Sequence, residues 1–150
     1  MINVWRLASK RYPPLSGEGA RLAGGRWNFS GRALVYASES LALCLAECLV
    51  HVTGRLPADY FAFKIAVPDD AFEHLELRSL KRGWQHDLQY TRALGDRWIS
   101  EKRSLALGVP SIVLPESTNV LLNPTHPRAV ELRVVVRQRF KFDPRLRPAR

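Results

Sequence analysis

The sequence predicts an α+β fold in a single compact domain, and three observations carry that expectation. The chain has 150 residues, enough for one domain with a sizeable core. Nearly half of the residues, 46%, are apolar, which supplies that core. Short β-rich runs and helical patterns follow one another irregularly, without the strict strand–helix alternation that builds a doubly wound parallel sheet. No repeat, linker or second domain interrupts the pattern.

In order, Ile2 to Leu7 (INVWRL) reads as a first strand, with Arg6 near its end. A long loop follows, SKRYPPLSGEGARLAGGRWNFSG, with two prolines and five glycines. Ordered loops of that length are usually functional. Leu34 to Ala37 is a second strand. A helix runs from about Ser40 to Val52, with Ser38 or Ser40 as N-cap and Gly54 just past its end. Its apolar residues cover nearly the whole circumference, the signature of a mostly buried helix. Tyr60 to Val67 is a strand stopped by Pro68, and Phe72 to Leu77 a further short one. Leu88 to Ser104 is a second helix with Gly95 as a weak point, and Gly108 and Pro110 end that region. Ser111 to Leu114 is a short buried strand, Asn119 to Leu122 another, and Val130 to Phe142 the last. The tail from Asp143 to Arg150 is polar and proline-bearing, which suits a mobile end. The domain is therefore expected to span residues 1–142, with a basic tail at 143–150.

No run is long enough to span a membrane, and the N-terminus lacks the apolar segment of a signal peptide. Cys44 and Cys48 are the only cysteines, spaced to pack on one helix. These features fit a cytoplasmic protein. The net charge is +9, and residues 128–150 hold eight Arg or Lys against Glu131 and Asp143. Such basicity suits nucleic acid, an acidic protein partner or a phosphate-bearing small molecule. Apart from Phe140 and Phe142, aromatic residues are not interleaved with the basic tail, and no zinc-finger or RNA-recognition signature occurs. Direct nucleic-acid binding is therefore not expected.

The candidate chemistry gathers between Arg21 and His51. Neither a dinucleotide fingerprint nor a phosphate loop is present. Gly24 and Gly25 nevertheless let backbone approach a ligand, and Arg26 could clamp a phosphate or carboxylate. Tyr36 is either a core ring or one that stacks on a planar ligand and uses its hydroxyl as a polar handle. Glu47 and His51 are the helix's only interior polar residues. They form a solvated stripe, or Glu47 faces a pocket built by the preceding loop, with Arg21, Arg26 and Arg32 nearby. Cys44, Cys48 and His51 lack the fourth ligand a zinc site needs, so no metal is expected. Ser111 places a hydroxyl in a pocket or satisfies a backbone group.

Together these segments form an ordered series. R-x-x-G-G-R-W-N-x-x-G starts at Arg21, V-Y-A-S at Val35 and E-x-x-x-H at Glu47. S-I-V-L-P-E-S-x-N-x-L-x-N-P-x-H-P then starts at Ser111. The series resembles the RES domain, the toxin half of bacterial toxin–antitoxin pairs whose partner is an Xre-type helix-turn-helix protein. The resemblance spans nearly the whole chain. It implies a fold similar to ADP-ribosyltransferases of the diphtheria-toxin type, with NAD as substrate and no resident cofactor. The family's arginine–tyrosine–glutamate cluster falls on Arg26, Tyr36 and Glu47, and its serine on Ser111. Arg6, Trp27, Asn28 and Asn119 match further motif positions, taken as substrate-binding. The resemblance also implies a possible homodimer. NAD cleavage by water or phosphate, depleting the cell, is the main expectation, and ADP-ribosylation of a host protein is the alternative. A basic nucleic-acid-binding protein or ribonuclease is the more distant one.

Overall fold

Seven strands form one sheet in the computed structural model, which describes residues 1–147. They are β1 (Ile2–Ser9), β2 (Val35–Ser38), β3 (Tyr60–Val67), β4 (Phe72–His74), β5 (Ala106–Pro110), β6 (Thr118–Leu122) and β7 (Arg133–Arg139). Their spatial order is β4-β5-β6-β2-β1-β3-β7. All neighbours run antiparallel except β4 and β5. Three α-helices accompany them: α1 (Glu18–Ala23), α2 (Leu41–Leu49) and α3 (Leu88–Glu101). The expected α+β class holds.

Strand alternation splits the core in two. Val35, Ala37, Val120 and Leu122 join Val4, Phe63 and Ile65 in one cluster. Tyr36, Leu121, Leu107 and Val109 join Trp27, Trp84 and Trp98 in the other, which α3 covers. The sheet has one weak joint. β1 and β3 pair continuously from Ile2–Val67 to Ser9–Tyr60, and β2 and β6 from Val35–Leu122 to Ser38–Asn119. Between β1 and β2 the only register pair is Trp5–Ser38. The two halves diverge from that point, and α2 packs across both strands.

Several elements differ from the sequence expectation. The long loop contains α1, which starts at Gly17 with φ 68° and without a side-chain cap. α2 is buried only at Leu43 and Cys44; Glu47 and Cys48 face a cleft, and Leu41, Leu45, Ala46 and Leu49 are partly exposed. α3 ends at Glu101, and Lys102 turns the chain with φ 52°. Gly95 is no weak point there: a Cβ would sit 1.6 Å from the Trp27 carbonyl oxygen, so glycine permits the contact. The buried strand is β5 at 106–110, running through Gly108 and Pro110, and 111–114 is the loop after it. Ser111 makes that loop turn by accepting the Leu114 N–H on its Oγ at 3.1 Å. β4 stops at His74, and β7 begins only at Arg133 because Arg128 pairs with Glu131 around a 3-10 turn. In the tail, Pro144–Leu146 forms one 3-10 turn capped by Asp143, and residues 148–150 lie outside the described residues.

Candidate active site

A cleft of about 980 Å³ opens where β1 and β2 part. Arg6 and Leu7 line it from one half of the sheet, and Tyr36 to Ser38 from the other. Glu47 and Cys48 descend from α2 and His51 from the turn after it, and Arg26 and Arg92 come from the glycine loop and α3. Glu47 is the only acidic side chain lining the cleft among the described residues, against Arg6, Arg26, Arg55 and Arg92. Low-dielectric walls strengthen the pull of such a site on an anion. Arg21 and Arg32, expected nearby, are exposed outside it, and Arg21 is paired with Glu18.

Two neutral donors hold Glu47. Ser111 Oγ donates to Glu47 Oε1 at 2.6 Å and Asn119 Nδ2 donates to the same oxygen at 2.7 Å. Glu47 forms no salt bridge among the described residues. Its position is fixed without its charge being cancelled, and Oε2 is not used by either donor. Ser111 itself is buried and acts from beneath the cleft wall.

The glycine loop is clamped through its backbone by side chains of α3. Thr91 Oγ1 donates to the Arg26 carbonyl at 2.7 Å and Arg92 Nε to the Gly25 carbonyl at 2.8 Å. Asp96 Oδ1 accepts the Phe29 N–H at 3.1 Å. Thr91, Arg92, Gly95 and Asp96 thus form one gripping stripe on α3. The fully buried Asn28 donates through Nδ2 to the carbonyls of Ala20, Phe29 and Arg32. Tyr36 Oη accepts the Trp27 N–H at 2.8 Å and donates to Asn28 Oδ1 at 2.7 Å. Gly25 is required beside it, since a Cβ there would lie 2.5 Å from that hydroxyl. The Tyr36 hydroxyl is therefore not a free polar handle, and burial pushes its phenol well above the usual range.

The sequence-predicted residues do converge, with different tasks. Arg6, Arg26, Tyr36, Glu47 and Asn119 face the cleft. Trp27 reaches it but is 2% exposed and packs against Trp84, and Asn28 lies under the loop. Arg26 donates to the Gln85 carbonyl at 3.3 Å. Arg6 Nη1 donates to the Tyr36 carbonyl at 2.9 Å, while its buried Nε has no partner. Burial lowers this guanidinium's pKa. Arg92 was not legible, because one arginine on a polar helix carries no signal of what it faces. Among the described residues no group of three or more His, Cys, Asp or Glu could hold a metal, and no helix is long and apolar enough to cross a membrane.

Fold and site define a class: a single-domain α+β protein whose split sheet holds one uncompensated carboxylate in an arginine-lined cleft. The RES domain family matches residues 3–143, and the chain belongs to that family. It is 37% identical to a Prs ADP-ribosylating toxin of Sphingobium sp. across 96% of both chains. It is 36% identical to a Toxin Res of Pseudomonas putida, covering 95% of this chain and 98% of that one. The fold is similar to a chain of the Mycobacterium tuberculosis MbcT–MbcA toxin–antitoxin complex. The TM-score is 0.72 at 20% identity, over 90% of this chain and 81% of that one.

Proposed function

We propose that this protein is the toxin of a toxin–antitoxin pair and that it breaks the nicotinamide–ribose bond of NAD. The observation that carries the reading is Glu47, a carboxylate held by two neutral donors in an arginine-lined cleft, with no salt bridge among the described residues. Cleavage sends the bonding electron pair out with nicotinamide and builds positive charge on the ribose, as in glycoside cleavage. A preorganised carboxylate stabilises that charge, and its Oε2, used by neither Ser111 nor Asn119, would take a ribose hydroxyl. Arg6 and the other arginines of the cleft suit the pyrophosphate. An acceptor oxygen then bonds to the ribose carbon and loses its proton.

Water or inorganic phosphate as acceptor gives net NAD depletion, the main reading. A protein side chain gives ADP-ribosylation, a second reading favoured by the name of the Sphingobium relative. An Xre-type antitoxin is the proposed silencing partner, in keeping with relatives named as Res toxins.

The test is total NAD in cells after brief induction of the wild-type chain and of Glu47→Gln. NAD falls rapidly with wild type only, and toxicity is lost while the variant stays folded. Removing one such electrostatic group costs about a hundredfold or more in rate. Retained toxicity in soluble Glu47→Gln protein sinks the assignment. Growth arrest at constant NAD removes bulk depletion and favours a modified protein. The released product identifies the acceptor.

A further inference from the structure

We infer that Ser38 is a positioning residue for this site: its hydroxyl locks the Asn119 amide so that Asn119 presents N–H, and not oxygen, to Glu47. The inference rests on the reading above, in which Glu47 acts on the substrate.

Ser38 ends β2 and is 3% exposed. It is cross-strand partner to Asn119 on β6 and also to Trp5 at the single β1–β2 pair. Directly opposed residues project to the same face of a sheet, so the Ser38 and Asn119 side chains meet. Their polar atoms are 2.7 Å apart, Ser38 Oγ to Asn119 Oδ1.

The direction of each bond follows from chemistry. An ionised carboxylate only accepts, so Asn119 must turn Nδ2 toward Glu47 Oε1, which it does at 2.7 Å. Its Oδ1 then points away and needs a donor, and the Ser38 hydroxyl supplies it. The two ends of a side-chain amide have nearly the same shape, so packing alone barely distinguishes them. Without Ser38 the amide oxygen has no donor, and only the bond to Glu47 still orients the side chain. Ser111 is a separate donor to the same Oε1 and does not touch the amide bond to Ser38. Ser38 also lies within hydrogen-bond reach of the Cys44 thiol, but of the two Glu47 donors it touches Asn119 alone.

The experiment is steady-state NAD cleavage by purified wild type, Ser38→Ala, Ser38→Thr, Asn119→Ala and the Ser38→Ala/Asn119→Ala double variant, each with its Tm. Ser38→Ala is expected to lower kcat by about ten- to a hundredfold with KM for NAD little changed. Ser38→Thr keeps the hydroxyl and restores most of the rate. The double variant is no slower than Asn119→Ala alone, because both act on one bond. A wild-type kcat in Ser38→Ala overturns the inference. So does a double variant whose loss is the product of the single losses, since that marks an independent structural role. If Ser38→Ala fails to fold, Ser38→Cys replaces it, a thiol being a much weaker donor, and must be slower than Ser38→Thr. If wild type cleaves no NAD, the functional reading fails on its own. The amide lock is then read by NMR: the Asn119 side-chain NH₂ resonances shift or broaden in Ser38→Ala, and unchanged resonances refute it.

Discussion

Removing a single oxygen from Tyr36 separates two accounts of that residue. In Tyr36→Phe the ring stays and the hydroxyl goes. The Trp27 N–H loses its 2.8 Å acceptor and Asn28 Oδ1 loses its 2.7 Å donor. Trp27 is 2% exposed and Asn28 0%, so water does not replace either bond. Two hydrogen bonds contribute about 1 kcal/mol each, and stranding a buried N–H adds about 1 kcal/mol or more, so the loss is roughly 3 kcal/mol. For a domain of this size that lowers Tm by about 6–12 °C. Differential scanning calorimetry measures it, beside the KM for NAD. The stability loss is expected even without ligand, because the hydroxyl holds the glycine loop to the sheet. A Tyr36→Phe protein with the Tm of wild type and a raised KM would refute this account and restore the hydroxyl to direct ligand contact.

Three further outcomes are expected. Gly95→Ala drives a methyl to 1.6 Å from the Trp27 oxygen and should cost about 3 kcal/mol or prevent folding, whereas Gly19→Ala meets nothing nearer than 3.7 Å and should gain up to about 1 kcal/mol in a urea melt. Burial raises the Cys44 thiol from 9.0 to about 11, so folding holds a proton that the unfolded chain releases. Stability is therefore full below the unfolded thiol range and falls as pH rises toward about 11, and Cys44→Ala should remove that thiol's share of the fall in urea midpoints measured across this window. Cys48 is half-buried in the cleft wall and Cys44 is 7% exposed, so iodoacetamide should label Cys48 first, and saturating NAD should slow it, as read by mass spectrometry. Equal labelling with and without NAD would separate the bound substrate from α2.

Much of the fold was legible because burial writes itself as periodicity. Tyr60 to Val67 was bounded correctly, and Ala37, Val120 and Leu122 alternate as strand residues must. The failures have local causes. α1 lies between glycines and lacks a capping side chain, so nothing announces it. β5 was displaced because Gly108 and Pro110 resemble terminators. His74 Nδ1 sits 2.6 Å from where a Gly108 side chain would begin, so a larger residue in that strand position would have to displace the histidine ring. α2 looked buried because its residues are apolar on every side, yet Leu41, Leu45, Ala46 and Leu49 stay partly exposed. Within the site, Glu47 stood out as a lone carboxylate on an apolar helix, and motif positions carried Arg26, Tyr36, Ser111 and Asn119. Arg92 and the wiring of Tyr36 to Trp27 and Asn28 were not legible, since both depend on which atoms meet across the fold.

The divided sheet also bears on how the chain comes off the ribosome. Glu47 is synthesised early, but its two donors stand at Ser111 and Asn119, and β6 must slot beside β2 before either reaches it. A nascent chain holding only the first hundred or so residues carries the carboxylate with nothing to aim it. Domains of this kind fold as units during synthesis. The site is therefore complete only once β6 has been made and has paired with β2.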